Sequence, residues 1–88
     1  MPYIPQDDRK FLGRYIITTI PAGLVVTPGE LNYIITNILV STNPKRYEDY
    51  NQLIGVLECI KLELYRRMVA PYEDKKKQEH GDVYPEEN

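Results

Sequence analysis

The chain has little of what small proteins use to stabilise a fold. Its 88 residues include one cysteine, one histidine, one phenylalanine and no tryptophan. Cys59 alone cannot close an internal disulfide, and Cys59 with His80 is too small a ligand set for a structural zinc site. A chain of this length buries only roughly 60% of its unfolded surface, near the lower limit for an autonomous core. Association with other chains would therefore stabilise it.

Long hydrophobic runs are also lacking. No stretch approaches the roughly 20 apolar residues of a transmembrane helix, and no apolar run follows a basic N-terminal segment. We therefore expect a cytoplasmic protein in a reducing compartment, without membrane contact. The formal net charge of −2 gives the whole molecule no attraction for nucleic acid, so nucleic-acid binding is not expected.

No motif in the chain carries a recognisable reaction. The glycines are scattered and form no phosphate-binding loop, and no serine or cysteine has the surroundings of a nucleophile. We predict no catalytic residue, no metal site and no cofactor. Whether the protein is an enzyme stays open, with a non-enzymatic role favoured.

Three helical patterns are present instead. A first helix is predicted over residues 8–19, closed by Pro21 and Gly23. Thr27-Pro28-Gly29-Glu30 has the composition of a capping box with proline at the first helical position, so a second helix begins there and ends at Ser41-Thr42-Asn43-Pro44. A third, long helix is predicted over about residues 46–70, with a possible resumption after Pro71 and a C-cap at Gly81.

The long helix has more apolar surface than two short helices cover. Its main stripe consists of Tyr50, Leu53, Leu57, Ile60, Leu64 and Met68, and further apolar residues lie outside it. Gly55 weakens a helix, which indicates close approach of another backbone, either within the monomer or from a second subunit. We predict an all-α fold of three helices, the third kinked at Pro71, forming one domain over residues 1–84 with a flexible tail at 85–88, assembled as a homodimer or larger oligomer.

The charges of the long helix are the candidate ligand site. Arginine offers a planar fork of donors for phosphate or carboxylate, and tyrosine offers a stacking face. Exposed ion pairs along the helix are the plainer interpretation, at a few tenths of a kcal/mol each. In the binding interpretation, Arg66, Arg67 and Lys61 hold an anionic group, Tyr65 and Tyr72 contact its ring, and Glu58 and Glu63 orient the basic residues.

An alternative is a small metal-dependent nucleotide hydrolase of all-α type. It would use Glu58, Glu63, Glu73 and Asp74, because carboxylates hold magnesium with nucleotide phosphates. The ExxE and ExxD spacings typical of such enzymes do not occur among these four residues. Structural caps and surface acids are the favoured interpretation of the acidic pairs Glu48-Asp49 and Glu73-Asp74, which lie near the two ends of the long helix.

Several motifs resemble a known family. They are Gly29-Glu30-Leu31-Asn32-Tyr33, Gly55-Val56-Leu57-Glu58-Cys59 continuing into Lys61-Leu62-Glu63-Leu64-Tyr65-Arg66-Arg67, Pro71-Tyr72-Glu73-Asp74-Lys75-Lys76 and Gly81-Asp82-Val83-Tyr84. The chain resembles a family of uncharacterised small proteins of phages, prophages, bacteria and archaea, from which it departs at His80, where asparagine is usual. The resemblance implies a mobile-element protein that acts by binding itself, a host protein or a nucleotide-like ligand.

Overall fold

The structure, a computed structural model, describes residues 3–19 and 26–85, and the side chains of residues 3–14 and 26–85. The helices are α1 (Gln6–Thr19), α2 (Pro28–Ser41), α3 (Tyr47–Leu64) and α4 (Ala70–His80), and a π-helical segment (Tyr65–Val69) joins α3 to α4. The described residues contain no strand. Because α3, the π segment and α4 follow one another without a gap, they form one long third helix. The prediction of an all-α protein with three helices is confirmed.

The chain divides into two compact units, Met1–Leu53 and Ile54–Asn88. The first contains α1, α2 and the beginning of α3, and the second contains the rest of α3, the π segment and α4. The single domain expected over residues 1–84 stays a prediction. Residues 20–25 and 86–88 lie outside the described residues, and with them most of the predicted connector and tail.

Helix α1 begins at Gln6, two residues before the predicted start. The backbone N–H of Arg9 donates to the carbonyl of Pro5 at 3.1 Å, and its guanidinium Nε donates to the carbonyl of Ile4 at 2.7 Å. Asp7 and Asp8 lie in the first turn, where their charges favour the positive end of the helix dipole. The residues just before α1 are thus tied to its first turn by Arg9.

The capping box predicted at the start of α2 is confirmed. The Thr27 hydroxyl accepts from the backbone N–H of Glu30 at 3.1 Å, and the Glu30 carboxylate accepts from the backbone N–H of Thr27 at 2.9 Å. Two donors that the helix start leaves without a partner are thereby satisfied. At the other end α2 stops at Ser41, and Asn43 takes a left-handed conformation with φ of 60°, which asparagine tolerates.

Helix α3 is started by Asp49, one of the acidic residues for which the sequence favours a structural cap. The Oδ2 atom of Asp49 accepts from the backbone N–H groups of Lys45 and Arg46, both at 3.1 Å. The carboxylate therefore holds the two residues that precede Tyr47, while its charge faces the positive end of the helix. These bonds fix where the long helix begins.

The irregularity expected at Pro71 is the π segment. Proline has no N–H for the carbonyl four residues earlier, and its ring crowds that carbonyl. The turn before it takes one extra residue, so that the N–H of Ala70 bonds to the carbonyl of Tyr65, five residues back. The backbone thus passes Pro71 and continues as α4.

Gly81 ends α4 as predicted. Its φ of 84° lies in the region that favours glycine, and its N–H donates to the carbonyl of Lys77 at 2.8 Å. Asp82 then accepts from the N–H of Tyr84 at 3.1 Å and pairs with Lys77 at 3.4 Å. The bond from Tyr84, together with Lys77, holds the pKa of the Asp82 carboxyl below its ordinary value.

The described residues contain no buried side chain, polar or apolar. The most sheltered aliphatic residues, Ile34, Leu39, Leu53, Leu57 and Val69, are only half-buried. Folded proteins are stabilised mainly by apolar surface removed from water. The helices described are therefore held by caps and local pairs, without a closed interior.

Replacing Thr27 with alanine is expected to destabilise α2 by about 1 kcal/mol, because the N-cap acceptor is lost. The thermal midpoint should fall by roughly 4–8 °C in circular dichroism. Thr36→Ala is the matched control, since Thr36 lies inside α2 and bonds only the side chain of Asn32 in the described contacts. Equal losses in both variants would contradict the capping assignment.

The same capping box predicts a pH dependence. The backbone and hydroxyl of Thr27 hold the pKa of Glu30 below its ordinary value of 4.5. A lowered pKa means that this stabilisation is complete above the ordinary value and is lost as pH falls through the folded-state pKa. The stability difference between wild type and Glu30→Gln should therefore shrink as pH is lowered from about 6 to about 3 in thermal unfolding. A stability difference that does not change with pH would contradict the role of the Glu30 carboxylate in the capping box.

Candidate functional site

The seven predicted site residues all lie on the long helix, within the unit Ile54–Asn88. They are Glu58, Lys61 and Glu63 in α3, Tyr65, Arg66 and Arg67 in the π segment, and Tyr72 in α4. Six of them are exposed, and Glu63 is half-buried. The structure groups them into separate pairs and clusters, which are described in turn.

Glu58 and Lys61 form an ion pair one helical turn apart. The Lys61 Nζ lies 3.1 Å from a carboxylate oxygen of Glu58, and more than half of each side chain is exposed. Solvent and salt screen such a pair, so its contribution to stability is small. This part of the candidate site is a solvated helix surface in a single chain.

Glu63, Arg66 and Arg67 form a more sheltered cluster. The Glu63 carboxylate lies 2.9 Å from a guanidinium nitrogen of Arg66 and 3.9 Å from one of Arg67. The Glu63 side chain is 25% exposed, whereas those of Arg66 and Arg67 are 66% and 61% exposed. One carboxylate thus orients two guanidinium groups that still face solvent, and the cluster has a net charge of +1.

The two charged groups leave the helix in different directions. Glu58 and Glu63 are five residues apart on α3, which corresponds to a rotation of about 140° around the helix axis. A single helix therefore does not bring Lys61 to the side on which Glu63 pairs with Arg66 and Arg67. The common site expected from the sequence stays a prediction, and one chain supplies it only in parts.

Tyr65 bonds to Glu73, which the sequence analysis assigned to the alternative hydrolase. Its hydroxyl donates to a carboxylate oxygen of Glu73 at 2.6 Å. Accepting this bond, the Glu73 carboxylate raises the pKa of Tyr65 above its ordinary value of 10.0. The two residues are eight apart, a spacing that does not make neighbours on a regular α-helix, so the sequence alone carried no signal for this pair.

Tyr72 presents its ring to a lysine. The Lys76 Nζ lies 5.5 Å from the centre of the Tyr72 ring, within the range of a cation–π interaction, and also pairs with Glu79 at 3.2 Å. The Tyr72 residue is 61% exposed. Tyr72 is thus held in place by Lys76 as an aromatic surface on α4.

The acidic residues of the alternative hydrolase do not form a group. Among the residues that the structure describes, no three histidine, cysteine or acidic side chains lie together as metal ligands would. Glu58 and Glu63 are paired with basic residues, and Glu73 accepts from Tyr65. Within one chain, these three acidic residues therefore take part in ion pairs and in one hydrogen bond.

A shallow open groove on α2 was not expected from the sequence. It is lined by Pro28, Gly29, Asn32, Tyr33 and Thr36. Its lining has no charged side chain, so it offers neither a catalytic group nor a counter-charge for an anion. The groove follows from small residues on one side of the first turns of α2.

The described helices define a small all-α protein. Among the described residues no helix has the length and apolar character needed to cross a membrane. No curated protein and no solved structure matched the chain. The chain belongs to the family described as domain of unknown function DUF6899, which matches residues 1–83.

The bond between Tyr65 and Glu73 predicts an abnormal tyrosine titration. With its pKa raised, the Tyr65 hydroxyl stabilises the fold below its ordinary pKa, and this contribution is lost as pH rises through the folded-state pKa. NMR of ring-labelled tyrosine should show the resonance of Tyr65, assigned with Tyr65→Phe, titrating above 10.0. Glu73→Gln should lower that pKa, and Glu79→Gln serves as a control on the same helix. An unchanged titration in Glu73→Gln would contradict the assignment.

Proposed function

We propose that the protein is a non-enzymatic binding protein that acts as a homo-oligomer and takes a small anionic ligand of nucleotide-like chemistry. The observation that carries the proposal is the lack of any buried side chain among the described residues. Helices with this much apolar surface need a partner to remove it from water. A second copy is the partner that every molecule of this chain has available.

Exposed apolar side chains within the unit Ile54–Asn88 support association. Ile54, Ile60, Leu62 and Leu64 are each more than half exposed. Burial of such side chains against a partner removes apolar surface from water.

Gly55 adds local support. A Cβ atom built on Gly55 meets nothing within 4 Å, so among the described residues no neighbour requires glycine at this position. Glycine inside a helix costs about 1 kcal/mol relative to alanine. Close approach of a second subunit is a structural reason for this glycine.

The ligand is assigned from the basic cluster. Arg66 and Arg67 are already oriented by Glu63, and their guanidinium groups bind phosphate or carboxylate oxygens in pairs. Tyr65 and Tyr72 supply aromatic surface nearby along the helix. Lys61, positioned by Glu58, leaves the helix in another direction, so in this proposal it reaches the same anion from a second copy.

A host protein is the other partner that the surface formed by Arg66, Arg67, Tyr65 and Tyr72 would bind. The resemblance to phage and prophage proteins favours such a partner. Such a partner would use the same guanidinium groups through acidic side chains. We therefore place the role in a mobile element, acting in the cytoplasm, with the small anion as the first ligand to test.

The double variant Arg66→Ala/Arg67→Ala is expected to abolish stabilisation by nucleotides while leaving helix content unchanged. A thermal-shift screen of nucleoside phosphates, with and without magnesium, measures it, and stabilisation should not depend on the metal. Lys45→Ala/Lys75→Ala removes the same amount of charge from exposed positions and is the control.

Four results would go against this proposal. Light scattering that gives a monomer at micromolar concentration would remove the homo-oligomer. Nucleotide turnover that requires magnesium would favour the hydrolase. Unchanged nucleotide binding in the double arginine variant would remove the site, and stabilisation by a host protein alone would replace the small anion as ligand.

A further inference from the structure

Both arginines of the candidate site lie inside the π segment. Arg66 and Arg67 are its second and third residues, between Tyr65 and Val69. A π turn takes one residue more than an α turn and is rare in helices, so its shape depends on the contacts that hold it. The directions of the two guanidinium groups therefore depend on what holds this turn.

Two bonds that connect the π segment to α4 begin at Tyr65. Its carbonyl accepts from the backbone N–H of Ala70, five residues later. Its hydroxyl donates to the carboxylate of Glu73 at 2.6 Å. The first bond belongs to the backbone of the turn, whereas the second ties the start of the turn to the helix that follows it. Both bonds lie within the unit Ile54–Asn88.

The bond between Tyr65 and Glu73 depends on the π turn. On an unbroken α-helix, residues eight apart differ in direction by about 80°, whereas residues seven apart differ by about 20°. The extra residue of the π turn gives a spacing of eight the direction that a spacing of seven has on an α-helix. Because the hydroxyl and the carboxylate meet in this conformation, their bond stabilises the π turn relative to a regular one.

The bond between Tyr65 and Glu73 is charge-assisted. A neutral hydroxyl donates here to an ionised carboxylate, and 2.6 Å lies within the range of lengths typical of such bonds. The bond raises the pKa of Tyr65, so the hydroxyl keeps its proton at neutral pH and remains the donor. The pair therefore holds the turn under the conditions in which an anion would bind.

We propose that Glu73 is a positioning residue for the arginine pair, because its bond to Tyr65 holds the π segment in the form that directs both guanidinium groups toward one anion. Glu63 acts on the same groups from α3, where its carboxylate lies 2.9 Å from Arg66 and 3.9 Å from Arg67. The inference rests on the function proposed above and deepens it. It names a residue on which the affinity for the anion depends without contact.

The charge of Glu73 distinguishes a positioning role from a purely electrostatic one. A carboxylate repels an anion, so by charge alone removal of Glu73 would strengthen anion binding. A positioning role predicts weaker binding, since arginines that are held loosely must be ordered when the anion binds. The two effects thus have opposite signs.

The first test measures the binding of inorganic pyrophosphate, a probe without a ring for Tyr65 to contact. In calorimetry, Glu73→Ala is expected to weaken this binding roughly tenfold, because two arginine side chains must then be ordered. Asp74→Ala is the matched control, since it removes the same charge from the next exposed position of α4 and should bind pyrophosphate at least as tightly as wild type. Glu73→Gln keeps an acceptor for the hydroxyl and should recover most of the affinity.

A second variant removes the donor of the same bond. Tyr65→Phe keeps the ring and every charge, and it should weaken pyrophosphate binding by the same roughly tenfold factor. Adding Glu73→Ala to it should cause no further loss, because both changes break one interaction. Circular dichroism of each variant shows whether helix content is retained, and Tyr65→Phe decides the matter if Glu73→Ala loses helix.

The state of the turn is measured without any ligand. The backbone N–H of Ala70 bonds to the carbonyl of Tyr65. Its hydrogen exchange should be roughly fivefold faster in Tyr65→Phe and in Glu73→Ala than in wild type, since the turn opens more often. Asp74→Ala should leave the exchange rate of Ala70 unchanged.

The outcomes separate this inference from the proposed function. If Glu73→Ala binds pyrophosphate as tightly as Asp74→Ala, or if exchange at Ala70 is unchanged, the role of Glu73 is overturned and the arginine site stands. If wild type binds no pyrophosphate, or Arg66→Ala/Arg67→Ala binds it equally well, the arginine site and the role of Glu73 are overturned together.

Discussion

A proline inside the long helix sets the constraint on which the second half of the molecule depends. Pro71 supplies no N–H to the preceding turn, and the backbone passes it by adding one residue as a π turn between Tyr65 and Val69. The extra residue of the π turn changes the direction of the α4 side chains relative to those of α3. The partners of Tyr65, the position of Tyr72 and the side on which Arg67 lies all follow from this single adjustment.

A second constraint is that the hydrogen bonds and ion pairs described are local: the capping box at Thr27, the amide bonds to Asp49, and ion pairs three or four residues apart. Each contributes from a few tenths to about 1 kcal/mol, and the ordering of each residue's backbone costs a similar amount. Local bonds alone therefore do not stabilise an ordered chain. In the proposed homo-oligomer, burial of the exposed leucines and isoleucines by another copy supplies further stabilisation.

The sequence predicts the parts of this structure that depend on short spacings. Thr27 and Glu30 are three residues apart, and Gly81 needs only its own backbone freedom, so the start of α2 and the end of α4 were both foreseen. Asp49 was favoured as a structural cap, but the two amides that it bonds were not foreseen, because a first-turn acid is compatible with many partners. The π segment was missed because proline indicates a disturbed helix without saying how the backbone absorbs it. The bond from Tyr65 to Glu73 depends on that π segment and was missed with it.

The same reasoning explains why the candidate site was predicted as one group and is found in parts. Glu58, Lys61, Glu63, Arg66 and Arg67 are close in sequence, but five residues on a helix turn a side chain by about 140°. Arg67 lies one helical turn beyond Glu63 and meets it at 3.9 Å, as a spacing of four residues allows. In the proposed homo-oligomer, Lys61 of a second copy would reach the anion held by this guanidinium. Ligand binding and association would then be linked, so that each strengthens the other.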